Sequence, residues 1–397
     1  MGKGLDLLIV GGGLLGLCVA YQAVKRNHRV LLCRLSDAER PQADTLRNQS
    51  WLQSGLRYIG PLDEDERTLL AKEMLAGGLD LHDELGIPKP KGFGIVRLGS
   101  AAEAEKLERD GARMGVDVVR LDNQAQIRAV LGEFYAPDSI YYATPEIPFD
   151  EPMLLRRLRE VIRDEGGLVR EIPEPVEIIP GEDSAEFTIR LDRQTVCRPR
   201  MTVLAAGAGN VPLLESMRLP RRPNLELYQT PLLVVPMTTM RGARIFQDRV
   251  RRFSVISHPP SDGIPNGAMV IGTVEGTRTN FCRAPERRIP RGDLDAFWAI
   301  DCLRQFQLAG RFTAGFEVAV DGKQSVYPWV SRLSSNLIAA IPGRATMCMR
   351  VAKGIANELG SAVSSEGGVN VGTEWVEQIY MHHDPYYGRL NDVAEDT

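Results

Sequence analysis

The sequence predicts an α/β chain in which a domain built on a parallel sheet is interleaved with a second domain built on an antiparallel one. Three observations carry that reading. Leu7, Leu8, Ile9 and Val10 form a continuous apolar run, as in a strand buried on both faces. Gly11, Gly13 and Gly16 follow at once, Leu17 to Lys25 suits a helix, and Val30, Leu31 and Leu32 resume as strand. Far downstream, from Leu225 to Val274, apolar and β-branched segments alternate with Pro and Gly breaks (QTPLLVVPM, RFSVIS, GAMVIGTV), the pattern of antiparallel strands.

The three glycines have the G-x-G-x-x-G spacing of a Rossmann-type dinucleotide site. Gly11 permits the tight turn, Gly13 lets the backbone approach a pyrophosphate, and Gly16 lets the helix pack on the strand. Leu14 and Leu15 complete the turn, and the helix directs free N–H groups and its positive end toward the phosphates. A glycine-rich turn alone is weak evidence; strand, glycines, helix and strand in one short N-terminal unit are much stronger. One position breaks the rule. The acidic residue expected at the end of the second strand to hold the ribose hydroxyls is Arg34, after Cys33. Arginine accepts no hydrogen bond from a diol but can hold a phosphate. Three readings stay open: the dinucleotide is held without that contact, the site takes a phosphorylated ribose, or binding is degraded. Asp37 is close enough in sequence to substitute.

Composition sets the bounds. A chain of 397 residues, 43% hydrophobic and 25% charged, is an ordinary globular one with room for two domains. A net charge of −4 argues against a general nucleic-acid binder, and the basic cluster Arg249 to Arg252 reads as a solvated face. No run approaches the ~18 apolar residues of a membrane span. The N-terminus runs straight into a strand without a secretory signal, so a cytoplasmic location is expected. Six scattered cysteines with no C-x-x-C pair suit reduced thiols, and with only five histidines no metal site is expected.

In chain order, DTLRNQSWLQSGLRY (Asp44 to Tyr58) precedes a long helix-like run, Asp63 to Leu85, closed by Gly86-Ile87-Pro88. Phe93 to Leu98 reads as strand and Ala102 to Met114 as an exposed helix. Asp150-Glu151-Pro152 places acidic groups at a helix start, and that helix, Met153 to Glu165, stops at Gly166-Gly167 before strand Leu168 to Ile172. Val203 and Leu204 lead into Ala205-Ala206-Gly207-Ala208-Gly209, small residues that would let a ligand come close or that could merely begin a helix. Asp293 to Phe306 reads as helix. Asn336 to Ile341, Pro342 to Thr346 and Met347 to Leu359 repeat strand, glycine turn and helix. The tail after Glu366 is acidic and aromatic.

Four blocks in this order, VGGGLLGL, the helix after Asp150-Glu151-Pro152, VLAAGAGNVPLL and NLIAAIPGRATM, resemble the FAD-dependent oxidoreductases of the D-amino-acid oxidase superfamily over roughly residues 5 to 360. The glycine oxidase and L-2-hydroxyglutarate oxidase groups look nearest; Arg47 to Tyr58 resembles the latter's H-N-S-G-V-I-H-S-G-I-Y-Y block. The resemblance implies a Rossmann-type FAD-binding domain (1–90, 145–224, 325–365), interleaved with an antiparallel-sheet substrate domain (91–144, 225–324) and followed by a tail (366–397). By the same match Gly11, Gly13 and Gly16 would hold the pyrophosphate and Val176 would lie beside the adenine. Ala206 and Gly207 would lie on the cofactor's far side, and Asn48, Ser50 and Gln53 along the flavin. Gly343, Arg344 and Thr346 would approach the ring carbonyls, where N–H groups and positive charge stabilise a reduced anionic ring.

The departures shape the functional expectation. Gln53 stands where the hydroxyglutarate enzymes carry a histidine, and Glu317 falls where the amino-acid oxidases carry a carboxylate-gripping arginine. A carboxylate there would repel an acid and attract an amine, unless Glu317 is simply a surface strand residue. Arg57, Arg332 and Arg344 remain as carboxylate binders, and His258 and Tyr327 as proton-handling groups. The expected activity is removal of a hydride from a carbon bearing an amine or hydroxyl, with a small amine or hydroxy acid as substrate. Two alternatives stand beside it: a binding or assembly subunit with reduced catalysis, docking as a homo-oligomer or through its C-terminal tail, and an NADP-linked reductase suited to Arg34. Cys348, near the proposed flavin turn, reads as a small buried thiol rather than a flavin linkage.

Overall fold

A computed structural model describes residues 5–35, 50–56, 65–181, 186–193, 195–217, 224–236, 240, 244–260, 266–273, 281–282, 291–306, 311–320, 323–324, 328–342 and 347–363. The chain divides into two compact units, one of Met1–Arg40, Leu158–Glu226 and Val318–Thr397, the other of Pro41–Arg157 and Leu227–Glu317.

The first unit is organised on a six-stranded sheet in the order Trp329–Ser334, Leu337–Ile341, Met201–Leu204, β1 (Leu7–Val10), β2 (Val30–Leu35), Leu168–Ile172. All pairs are parallel except the one formed by Trp329–Ser334 at the edge. This explains the unbroken apolar runs, because a strand covered on both faces has no side to spare for polar residues. Leu7, Leu8 and Ile9 are wholly buried. The helix α1 (Leu14–Val24) is buried along its whole length and packs against Cys348–Val363, where the Gln22 amide reaches Met349 Sδ at 3.1 Å. Leu8, Val10, Cys33, Leu204 and Ala339 join a separate core cluster. A three-stranded antiparallel sheet, Glu177–Pro180, Phe187–Arg190 and Val196–Cys197, inserts Ile178, Phe187 and Ile189 into that cluster.

The second unit carries most of a ten-stranded sheet, and its middle runs Ala268–Thr273, Phe253–His258, Arg244–Asp248, Phe93–Leu98, Ile140–Thr144. The sequence predicts an antiparallel sheet; the structure differs in one place, where Arg244–Asp248 lies parallel to Phe93–Leu98. Phe134, Phe246 and Phe253 form the aromatic centre of its core, ring centroids 5.9–6.1 Å apart. The basic cluster read as a solvated face is only partly so. Arg251 Nε donates to Oδ2 of the buried Asp248 at 2.6 Å, and Arg97 Nη1 donates to the same oxygen at 3.0 Å. A buried carboxylate requires such partners.

Local rules account for the helix ends. The helix Asp65–Glu84 ends at Gly86, whose φ of +62° is left-handed, while Ile87 N–H closes on the His82 carbonyl at 3.0 Å. Ala101–Met114 begins with a capping box between Ser100 and Glu103. The helix expected over Asp293 to Phe306 is in fact Arg291–Trp298 followed by a 3-10 segment, Asp301–Phe306. The bonds tighten at the junction, where Ile300 N–H reaches the Phe297 carbonyl at 3.2 Å. Among the described residues, no helix is long and apolar enough to cross a membrane.

Candidate cofactor and active-site elements

In the first unit, β1, the glycine turn and α1 form a cradle of bare backbone. Gly11 has a φ of +128°, and a Cβ there would stand 2.3 Å from the Ala205 carbonyl oxygen. A Cβ on Gly16 would stand 1.9 Å from the Gly11 carbonyl oxygen. Both positions therefore require glycine, one for the turn and its neighbour strand, the other for the seating of α1. Gly13 caps α1 without a side-chain hydrogen bond, and its first turn has no acidic residue. The donor set is backbone N–H at a positive helix end, which fits the pyrophosphate of a dinucleotide.

The small-residue block lies beside this turn. Met201–Leu204 continues into a 3-10 turn, Gly207–Gly209, and the helix Asn210–Ser216. Gly207 has a φ of +57°. Asn210 fixes the arrangement: its Oδ1 accepts from Ala206 N–H at 3.0 Å, and its Nδ2 donates to the Leu204 and Ala340 carbonyls at 3.1 Å each. It is fully buried, so Asn210→Leu strands three backbone groups and should cost about 2–4 kcal/mol, read as a lowered melting temperature. Val176 is buried in the core cluster between Leu168–Ile172 and Glu177–Pro180.

Arg34 sits at the end of β2 and pairs with Glu171 of the neighbouring parallel strand. Its stem lies against Gly12, where a Cβ would meet Arg34 Cβ at 2.6 Å. Cys33 is buried and its thiol is pushed up to about 12 by burial, which leaves it unreactive. Cys348 is likewise buried. Arg332 belongs to this unit and donates to Glu358 at 2.8 Å and to the Ser335 carbonyl at 3.0 Å.

In the second unit, β3 (Trp51–Leu52) pairs antiparallel with Ile147–Pro148, and Ser50 just before it meets the start of the helix Glu151–Asp164. Ser50 adopts a left-handed φ of +48°; its carbonyl accepts from Phe149 N–H at 3.0 Å and its hydroxyl donates to Glu151 Oε2. Asp150 accepts from Met153 N–H at 3.0 Å at the helix start. Glu151, 1% exposed, is pushed up to about 8 by burial, opposed by the Ser50 hydroxyl. Among the described residues its Oε1 is buried without a partner, and so is Gln53 Oε1. The contrast is Glu146, buried as deeply. It accepts from Ser54 at 3.2 Å, from Thr144 at 2.9 Å and from Gln247 at 2.9 Å. Glu146 is held by three side chains as part of the fold, while Glu151 is met, among the described residues, by the Ser50 hydroxyl alone.

Sequence reasoning placed Ser50 and Gln53 together and read Glu151 only as an acidic helix start, missing its burial and its bond with Ser50. A buried carboxyl is legible there only once Ser50 is known to meet it. His258 is buried at the end of Phe253–His258, opposite Ala268. Asn48, Arg57, Tyr327, Gly343, Arg344 and Thr346 lie outside the described residues, as does the side chain of Glu317. Among the described residues no cluster of three or more metal-ligating side chains occurs.

Residues 6–328 match the family of FAD-dependent oxidoreductases designated DAO, and the chain belongs to that family. It is an FAD-dependent oxidoreductase by that membership, and the glycine cradle fits the cofactor. No curated protein matches the sequence. Among solved structures, iminodiacetate oxidase (IdaA) from Chelativorans sp. BNC1 is similar at 16% identity, covering 93% of this chain and 98% of its own, with a TM-score of 0.67. NikD, an unusual amino acid oxidase essential for nikkomycin biosynthesis, is similar at 17% identity, covering 92% and 96%, with a TM-score of 0.66. Glycine oxidase from Bacillus cereus ATCC 14579 is similar at 15% identity, covering 90% and 95%, with a TM-score of 0.65. These likenesses concern the fold.

Proposed function

We propose that the chain oxidises a small substrate at a carbon bearing an amine, with FAD as the hydride acceptor. The observation that carries the reading is the family match, supported by the glycine cradle and by structural relatives named for amine substrates. When bound, FAD supplies the redox chemistry, and the chain supplies position, desolvation and charge. By the family resemblance Gly11, Gly13 and Gly16 would hold the pyrophosphate, Asn48, Ser50 and Gln53 would serve the ring, and Gly343, Arg344 and Thr346 would supply N–H groups and positive charge to its carbonyls. Arg57 and Arg344 are the acid-binding candidates that remain once Arg332 is committed to Glu358.

A strong base is not required if the amine enters uncharged, since its lone pair already assists departure of the hydride. Glu317 fits an amine better than an acid. The test is the visible spectrum of the purified protein under anaerobic panels of amines and hydroxy acids. Bleaching of the flavin bands by amines is the expected result; bleaching by hydroxy acids alone would reverse the substrate class, and a colourless protein that refuses FAD would remove the proposal.

A further inference from the structure

We propose that the carboxylate missing from the end of β2 is supplied by Glu171, across the strand pair, with Arg34 as its positioning residue; the assignment rests on the FAD reading above. The ribose of an adenosine group offers two hydroxyl donors, and a dinucleotide site of this kind meets them with an acid at the end of the second strand. Here that position holds Arg34, which has donors only. Yet β2 and Leu168–Ile172 are parallel, and Arg34 is in register with Glu171, so both side chains leave the same face of the sheet one strand apart.

The geometry then decides what Arg34 does. Its stem lies against Gly12 of the fingerprint turn, with Arg34 Cδ 3.0 Å from where a Gly12 Cβ would be, so the arginine starts from the cofactor cradle itself. Its guanidinium Nη2 donates to Glu171 Oε1. Arg34 is the covered partner, its side chain 12% exposed, and Glu171 is the open one, at 53%. The arginine also holds the Glu171 carboxyl below the usual carboxylate range, so it stays ionised. A carboxylate bonded through Oε1 has a second oxygen, and further lone pairs, for a diol. A phosphate-binding arginine would present its guanidinium outward; this one is turned onto an acid. The pair restores to the adenosine end the acceptor that β2 alone lacks.

The experiment uses the full chain freed of flavin and measures dissociation constants for FAD, and for ADP and 2′-deoxy-ADP in competition with it. Wild-type protein should bind FAD and prefer ADP to the deoxy nucleotide. Glu171→Gln should weaken FAD by about tenfold or more, as expected on losing a charge-assisted hydrogen bond, and should bind the two nucleotides alike. The exchanged pair, R34E with E171R, returns the acid to β2 and should recover FAD affinity and the preference for ADP, which a loss of packing alone would not allow. Wild-type discrimination retained in Glu171→Gln overturns the assignment while leaving FAD binding intact. Tighter binding of 2′-phospho-ADP than of ADP by the wild type also overturns it, in favour of Arg34 as a phosphate ligand. Wild-type protein that binds neither FAD nor ADP overturns the cofactor reading and this assignment with it.

Discussion

Gly11→Ala yields a protein without bound flavin and with a sharply lowered melting temperature. Two costs coincide at this residue. Its φ of +128° is a conformation that an L side chain adopts only under strain, about 1–3 kcal/mol. The added methyl would also stand 2.3 Å from the Ala205 carbonyl oxygen and 2.8 Å from Ala206 Cα, both backbone atoms of the neighbouring strand end. Backbone cannot rotate aside as a side chain does, so relief requires β1 and Met201–Leu204 to part, although Ala205 N–H bonds the Val10 carbonyl at 2.8 Å. Overpacking of this kind costs roughly another 1–3 kcal/mol. Gly86→Ala is the control: its φ of +62° also disfavours alanine, but nothing lies within 4 Å. That variant should lose only about 1 kcal/mol and keep its flavin. The ratio of visible to ultraviolet absorbance and the melting temperature check both. Full flavin occupancy in Gly11→Ala would mean that the cradle does not hold the cofactor.

The same residues show why part of the molecule was legible in the sequence. The glycine spacing is a record of backbone sterics within one short segment, so β1, α1 and β2 could be read without knowing any distant contact. The block at Ala205 to Gly209 was ambiguous alone, because small residues suit a ligand, a close strand or a helix start; the structure has the second and the third, with Asn210 fixing both. What could not be read is what depends on register. The parallel pairing of Arg244–Asp248 with Phe93–Leu98 joins segments far apart in the chain, and apolar alternation is the same for either direction. Arg34 was visible as a broken rule, but its partner Glu171 emerges only from strand alignment. Glu151 sits in a charged helix start that resembles many exposed ones, and only the fold shows it as a buried acid bonded by Ser50.

That burial makes the pH dependence of stability the second large expected effect. In the unfolded chain Glu151 titrates near the usual 4.5, and in the folded chain near 8, because burial penalises its anion more than the Ser50 hydroxyl relieves it. Between those values the folded protein holds a proton that the unfolded chain has released. The unfolded state therefore gains from every rise in pH, and stability falls by up to about 1.4 kcal/mol per pH unit. The full contribution is present below about pH 4.5 and is gone by about pH 8, a loss on the order of 5 kcal/mol, after which the folded form ionises too and this group adds no further slope. Glu151→Gln has no proton to lose. Its melting temperature should fall less steeply between pH 5 and 8, so that it exceeds wild type on the alkaline side even if the amide packs less well at pH 5. Glu151→Asp is the complementary variant: a shorter acid draws away from Ser50 but still titrates, so it should keep the slope while lowering the whole curve. Parallel melting curves for wild type and Glu151→Gln across that range would show that the carboxyl is already ionised at neutral pH, and the reading of Glu151 as a neutral acid beside Ser50 would fall with it.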